Sequence, residues 1–335
     1  MTSIAYPHNV QLVVTERCNL TCRHCAVPAE DSPAESELTT ADWTRFIGLL
    51  DAQGIRSLTI SGGEAMLRAD ALDLVEYACT LRFTQVCLVS NGLAVRASDR
   101  GRLVKLQRTS AAFGYHVSVD GGTAATHDWM RGHGSWARTW RNLDRLRQEG
   151  GRVDGVQIVV HGDNVDEFEL VVHQAVGLGA RTVVVFPFAA IGRARRAGYP
   201  RLDAEHWTRL YDTADELEAS SGITIHLMGP VLADEWPESA RRWPNPASDT
   251  SLNMCVGPDG SAFTCPPMRA RALGSVGDLL SGHDTFEAVT ARGTSLTRET
   301  CGRCKFQLLC TGVDARAPWR DRDPDVTFVD PHVVA

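Results

Sequence analysis

Along the first part of the chain, short apolar runs of strand length alternate with longer stretches whose apolar positions recur at helical spacing. The runs fall at 10–14, 57–60, 85–89, 115–119, 156–160 and 182–186, and the helical stretches at 41–52, 70–81, 135–148 and 165–178. Such alternation implies a parallel sheet with helices packed outside it. Six units are too few for the usual closed barrel of eight. The expected fold is therefore α/β: a partial (β/α)6 parallel barrel over residues 1–197, with its chemistry at the C-terminal ends of the strands. Residues 198–250 carry one helical stretch, a strand-like ITIHL and irregular sequence with Trp and Pro, and read as a bridging segment. From 251 to 335 the chain is rich in turn residues and cysteine, with GPDG, CPP and CGRC, and calls for a staple to hold it.

Composition narrows the function classes. With 335 residues, 43% of them hydrophobic and 22% charged, the chain is neither disordered nor fibrous. No apolar stretch reaches the roughly 18 residues of a spanning helix, and the N-terminus lacks the basic and apolar regions of a signal peptide, so a cytoplasmic protein with no membrane partner is expected. The net charge of -7 gives no nucleic-acid footprint. Ten cysteines in a reducing compartment need an explanation other than disulfides. Cys79 and Cys87 sit in apolar surroundings and read as core. The other eight form two blocks, Cys18, Cys22 and Cys25 near the start and Cys255, Cys265, Cys301, Cys304 and Cys310 near the end.

The first block leaves the first strand as C-x3-C-x2-C, three thiolates in one loop able to converge on a metal centre. Zinc needs a fourth protein ligand, which His24 supplies only by strained geometry; a four-iron cluster held by three cysteines leaves one iron open to a small molecule. Both readings stand on spacing alone.

The same loop, with His24 just before its last cysteine, resembles the signature of the radical SAM superfamily. SGGEAMLR after the second strand is similar to that family's GGE motif, and the likeness continues in SNGL, VSVDG, HDWMRG, the Asn164 region and FPFAAIGRA. The resemblance implies that Cys18, Cys22 and Cys25 hold a 4Fe-4S cluster whose open iron binds S-adenosylmethionine. Reductive cleavage then yields a 5'-deoxyadenosyl radical that abstracts a substrate hydrogen atom. It further implies that the backbone at Gly62 and Gly63 comes close to the methionyl group and that Glu64 accepts from its ammonium. Ser118 and Asp120 become candidates for the ribose or the substrate, or else turn and cap residues; Arg193 meets the methionyl carboxylate or belongs to a solvated basic face. Asn91 reads as a turn residue in Asn-Gly.

The second block, C-x9-C then C-x2-C-x5-C, resembles the SPASM or shortened twitch extension of these enzymes, which holds auxiliary iron-sulfur clusters. Cys255, Cys265, Cys301 and Cys304 match the twitch layout. That leaves Cys310 as a spare thiol and candidate hydrogen-atom donor. Asp314 stands where the fuller pattern has a cysteine, so a second auxiliary cluster with Cys310, Asp314 or a non-protein ligand remains open, as does structural zinc.

Three functions follow. One is a radical SAM enzyme that crosslinks, oxidises or epimerises a ribosomally made peptide, served by a flavodoxin- or ferredoxin-type reductant. Its first strand opens near residue 9, so a separate leader-peptide-binding protein, or none, is expected. The second keeps the chemistry and takes a small polar molecule such as an aminocyclitol or aminoglycoside. The third is a non-catalytic zinc-binding protein.

Overall fold

The strands alternate apolar and polar positions, and the alternation sorts their two faces. In this computed structural model, which describes residues 7–26, 37–188, 192–196, 202, 204–227, 252–263 and 272–301, they join into one sheet. Six of them, β1 (Pro7–Val13), β2 (Ser57–Ser61), β3 (Gln85–Ser90), β4 (Phe113–Ser118), β5 (Gly155–Val160) and β6 (Thr182–Pro187), lie side by side in chain order and all parallel. Val10, Leu12, Leu58, Ile60, Val86, Leu88, Tyr115, Val117, Ile158 and Val185 join one buried core with helix residues. Their alternate neighbours, among them Gln11, Thr59, Cys87, His116, Ser118 and Gln157, occupy the opposite face by the two-residue period of a strand. A barrel packed solid with branched apolar side chains would not leave that face polar.

The helices are α1 (Thr40–Ala52), α2 (Ala71–Cys79), α3 (Ala97–Thr109), α4 (Ala124–Arg131), α5 (Ser135–Gln148), α6 (Phe168–Gly177) and α7 (Ala204–Ser221). The first shows why the pattern works. Thr39 and Asp42 form a reciprocal capping box, and Trp43, Phe46, Ile47 and Leu50, at i, i+3, i+4 and i+7, are fully buried. Each such side chain contributes about 1.5–3 kcal/mol. Cys87 is buried in β3 on the face opposite that core, whereas Cys79 packs against the core itself.

The sheet is wider than the six expected strands. ITIHL supplies β7 (Thr224–Leu227), a further parallel strand beside β6. On the other edge, β8 (Leu252–Val256) runs parallel to β1, with Cys255 in register with Gln11. A GPDG turn returns β8 into β9 (Ser261–Phe263), where Asp259 accepts from the Ser261 amide and Gly260 has φ +82°. β10 (Gly274–Ser275), α8 (Val276–Ser281), capped by Ser275, and α9 (Phe286–Cys301) complete the described chain. The boundaries expected at 197/198 and 250/251 lie outside the described residues.

Candidate functional site

Six loops leave the C-terminal ends of β1 to β6, and the loop after β1, which carries Cys18, Cys22 and Cys25, is tied to most of the others. From the end of β2, the Gly63 amide donates to the Thr15 carbonyl (2.7 Å) and the Glu64 amide to the Arg17 carbonyl (2.7 Å). From β3, Asn91 Nδ2 donates to Asn19 Oδ1 (2.7 Å). From β4, Asp120 Oδ2 meets His24 Nε2 at 2.7 Å. The Arg23 amide donates to the Met130 carbonyl at the end of α4 (2.9 Å). From beyond β6, the Arg193 amide donates to the Cys25 carbonyl and its Nε to the Cys22 carbonyl, both at 3.0 Å. A loop with this many external anchors is held in one geometry before any ligand arrives, as a precise site requires.

Several residues expected to meet S-adenosylmethionine also meet the protein. A Cβ on Gly62 would lie 2.7 Å from the Thr15 carbonyl oxygen, and one on Gly63 2.5 Å from that of Arg17. The close approach these glycines permit is thus to the backbone of the cysteine loop. Glu64 is buried, its Oε1 accepting from the Met66 amide (3.0 Å) and its Oε2 from the Asn91 amide (2.7 Å). Burial raises its pKa, opposed by those amides. The Ser90 side chain bonds the carboxyl as well, and these bonds still leave a carboxylate some lone-pair capacity. Asn91 accepts from the Leu93 amide and is followed by Gly92 at φ +77°, a turn geometry.

Asp120 is fully buried and fully engaged. Its Oδ1 accepts from the Val159 amide (2.8 Å), and its Oδ2 faces both His24 and Arg131 Nε, the latter at 2.5 Å. Burial alone would raise its pKa, yet Arg131 and then His24 hold the carboxyl well below the usual range. Its backbone carbonyl accepts from Asn164 Nδ2 (2.9 Å), which also serves the Val159 carbonyl. Asp120 is therefore the hub joining the ends of β4 and β5 to the cysteine loop, a role additional to the ribose, substrate, turn and cap readings that the sequence offered. Ser118, buried, ends β4 on the polar face. Arg193 lies against the cysteine loop, and a Cβ at Gly192, φ +58°, would collide with the Cys25 carbonyl.

Arg131 was not singled out from the sequence. It is buried, and its charge acts on Cys22 and Cys18, lowering the pKa of Cys22 against the burial that raises it. Its signal lay in HDWMRG: an arginine closing an amphipathic helix needs a carboxylate partner once buried, and the partner sits eleven residues earlier across a turn.

Cys18 and Cys22 are buried and Cys25 half-buried, packed with Leu20 and Leu93. Burial pushes the Cys18 thiol up to about 11, with the neighbouring Cys22 adding to it. An iron centre reverses this cost, because a coordinating thiol is deprotonated outright. Among the described residues, no three or more His, Cys, Asp or Glu side chains are grouped to hold a single metal ion. A cubane places its irons at separate corners, so three cysteines spread along one loop, beside the positive charge of Arg131, suit it as a donor set. Of the second block, Cys255 lies buried in β8 with its thiol 3.7 Å from Gln11 Oε1, and Cys301 ends α9. Cys265, Cys304, Cys310 and Asp314 lie outside the described residues. No described helix is long and apolar enough to cross a membrane.

Comparison with known proteins agrees with this geometry. Residues 12–175 match the Radical SAM superfamily. The chain is 27% identical over 326 residues to an AdoMet-dependent heme synthase of Oleidesulfovibrio alaskensis, covering 90% of this chain and 81% of that one. It is 28% identical over 329 residues to a PqqA peptide cyclase of a Methylobacterium species, covering 91% and 83%. Among solved structures, Streptococcus suis SuiB bound to S-adenosylmethionine superposes with a TM-score of 0.70 at 16% identity, over 92% of this chain and 73% of that one.

Proposed function

We propose that this chain, whose residues 12–175 form a radical SAM superfamily domain, is an enzyme that modifies a ribosomally synthesised peptide through hydrogen-atom abstraction. When bound, a cluster and S-adenosylmethionine would supply one-electron reductive cleavage of the sulfonium, the chemistry from which hydrogen-atom abstraction would follow. In this reading Cys18, Cys22 and Cys25 hold the cluster, and the anchors from β2, β3, β4 and β6 keep their loop rigid. Glu64, its carboxylate oriented by two backbone amides, offers its remaining lone pairs to the methionyl ammonium. Ser118 faces the ribose or the substrate from the end of β4, and Arg193 flanks the cofactor from the far side of the loop. Asp120 holds His24 and Arg131 in place.

The observation that carries the proposal is the cysteine loop itself, pinned at the C-terminal ends of the strands. The peptide substrate is supported by the similarity to the PqqA peptide cyclase. Cys255, Cys265, Cys301 and Cys304 are read as ligands of an auxiliary cluster, with Cys310 and Asp314 as further ligands or Cys310 as hydrogen-atom donor. The position of Cys255 beside β1 supports that reading, since it sets the second cysteine block next to the strand bearing the first. A flavodoxin- or ferredoxin-type reductant and a separate leader-binding protein are the partners it calls for. A second reading, a small-molecule substrate, is favoured by the similarity to AdoMet-dependent heme synthase over nine-tenths of the chain.

The test is anaerobic iron and sulfide analysis with electron paramagnetic resonance, for wild type and for Cys18→Ala/Cys22→Ala/Cys25→Ala, alongside 5'-deoxyadenosine production. The triple variant is expected to form no 5'-deoxyadenosine while keeping the C-terminal iron. Continued cleavage of S-adenosylmethionine by it would overturn the assignment. Deuterium transfer from a labelled precursor peptide into 5'-deoxyadenosine separates the peptide reading from the small-molecule one.

A further inference from the structure

The chain carries a net charge of -7, yet the surface beside the cysteine loop is positive. A groove of about 670 Å3 lies between that loop and α4, lined among others by Thr21, Arg23, Trp129, Met130 and His133. Trp129 is 37% exposed, and the Arg23 guanidinium stacks 4.7 Å from its ring centroid. The one carboxylate on the groove, Asp128, is consumed internally, accepting from the Gly134 and Trp136 amides and the Ser135 hydroxyl. His133, on the groove, stands two residues before the start of α5, where Arg138 Nε donates to the Gly134 carbonyl. Arg138, Arg141 and Arg145, at i, i+3 and i+7, share one exposed face of that helix, opposite its buried Thr139, Leu143 and Leu146. Among the described residues none of the three has a carboxylate partner, whereas Arg147 pairs with Asp144.

An arginine stripe with no ion-pair partner among the described residues, on an acidic protein, is a local field, and such a field steers an oppositely charged partner. Its place matters as much as its sign. Thr21 and Arg23, on either side of Cys22, are both exposed, so the groove is where the cysteine loop itself reaches solvent. An exposed aromatic beside a charged rim has the composition of a protein contact, and beside the cysteine loop such a contact suits an electron-transfer encounter.

We propose that this face, the Arg23–Trp129 groove with the arginine stripe of α5, is the docking surface for an acidic one-electron carrier protein. The proposal rests on the radical SAM reading of the cysteine loop. One electron leaves the reduced carrier and enters the cluster, the carrier being oxidised by one electron. No covalent bond forms in docking.

The test uses the full chain with clusters reconstituted and an acidic flavodoxin as the probe. Calorimetric titration gives the Kd for flavodoxin at low and high salt, for wild type and for Arg138→Glu/Arg141→Glu/Arg145→Glu. These residues lie off the catalytic loop, so 5'-deoxyadenosine formation driven by dithionite should match wild type and report an intact fold. The expected result is a Kd weakened about tenfold or more, with the salt dependence of wild type flattened, and a matching rise in KM for flavodoxin. Three arginines replaced by glutamine should fall between. An unchanged Kd overturns the proposal. So does a slower dithionite-driven modification of a precursor peptide, which would assign the stripe to the substrate instead. Failure of wild type to make 5'-deoxyadenosine with dithionite would strike the functional reading, and the Kd would still judge the surface by itself.

Discussion

Replacing Asp120 by asparagine removes one charge from a site where almost nothing can compensate. The side chain is fully buried, its Arg131 partner is 8% exposed, and they meet at 2.5 Å. Asparagine keeps an oxygen for the Val159 amide, but turns an NH2 group toward the Arg131 guanidinium, donor facing donor. Breaking one partner of a buried ion pair costs about 3–5 kcal/mol, since the other charge stays buried and unpaired. That is a large share of the ~5–15 kcal/mol a native protein has. The sign with pH follows from the depressed carboxyl. Stability from Asp120 is fully present above the unfolded carboxylate pKa of about 4. Below that pH the unfolded chain takes up the proton first, and the contribution is lost as pH falls toward the lower folded value. Urea unfolding of the wild type and Asp120→Asn, followed by tryptophan fluorescence, should show a gap of about 3–5 kcal/mol between pH 5 and 7 that narrows below about pH 4. Reconstituted iron should fall too, because His24, next to Cys25, loses its anchor. A gap under ~1 kcal/mol, or one that does not narrow in acid, would refute the hub role.

Other expectations are narrower. Gly63→Ala sets a methyl 2.5 Å from the Arg17 carbonyl oxygen, backbone that cannot step aside. Overpacking and two strained hydrogen bonds should cost roughly 2–4 kcal/mol, read as a lower melting temperature and poorer iron loading; a neutral alanine would contradict the contact. His116, whose pKa burial lowers to about 4, should cost stability as pH falls from about 6.5 toward 4 because the unfolded chain protonates first. His116→Gln should flatten that slope, and an unaltered slope would remove the residue from the account. Cys255→Ala should lower total iron by about one cluster while the spectroscopic signature of the Cys18, Cys22 and Cys25 site persists. Unchanged iron would take Cys255 out of the ligand set.

The strands were legible because alternation survives in each: Leu58 and Ile60 inward, Thr59 between them, and likewise along β3 to β6. α3 was not, because ASDRGRLVKLQRT offers few apolar positions and a glycine among its charges. ITIHL was recognisable as a strand, but nothing local says that it lies beside β6. The pairing of β8 with β1 joins residues far apart in the chain, and no periodicity encodes it. At the site, spacing located Cys18, Cys22, Cys25 and the glycine-glycine-glutamate turn. It did not distinguish a polar group aimed at a ligand from one aimed at a neighbouring loop. Glu64 and Asp120 both hold backbone, and Arg131, the cation that completes the pair, lay within the recognised HDWMRG without a role being read for it.

The strand that launches the cysteine loop has β2 on one side and β8 on the other. During synthesis the first neighbour emerges soon after β1, whereas the second emerges only once residues 252–256 have been made. Until then β1 presents a bare row of amides and carbonyls, the kind of edge that invites pairing with the wrong chain. A nascent or truncated chain ending before residue 252 would therefore carry its cysteine loop on an unprotected strand. A strand far removed in the sequence, β8, is what closes that edge.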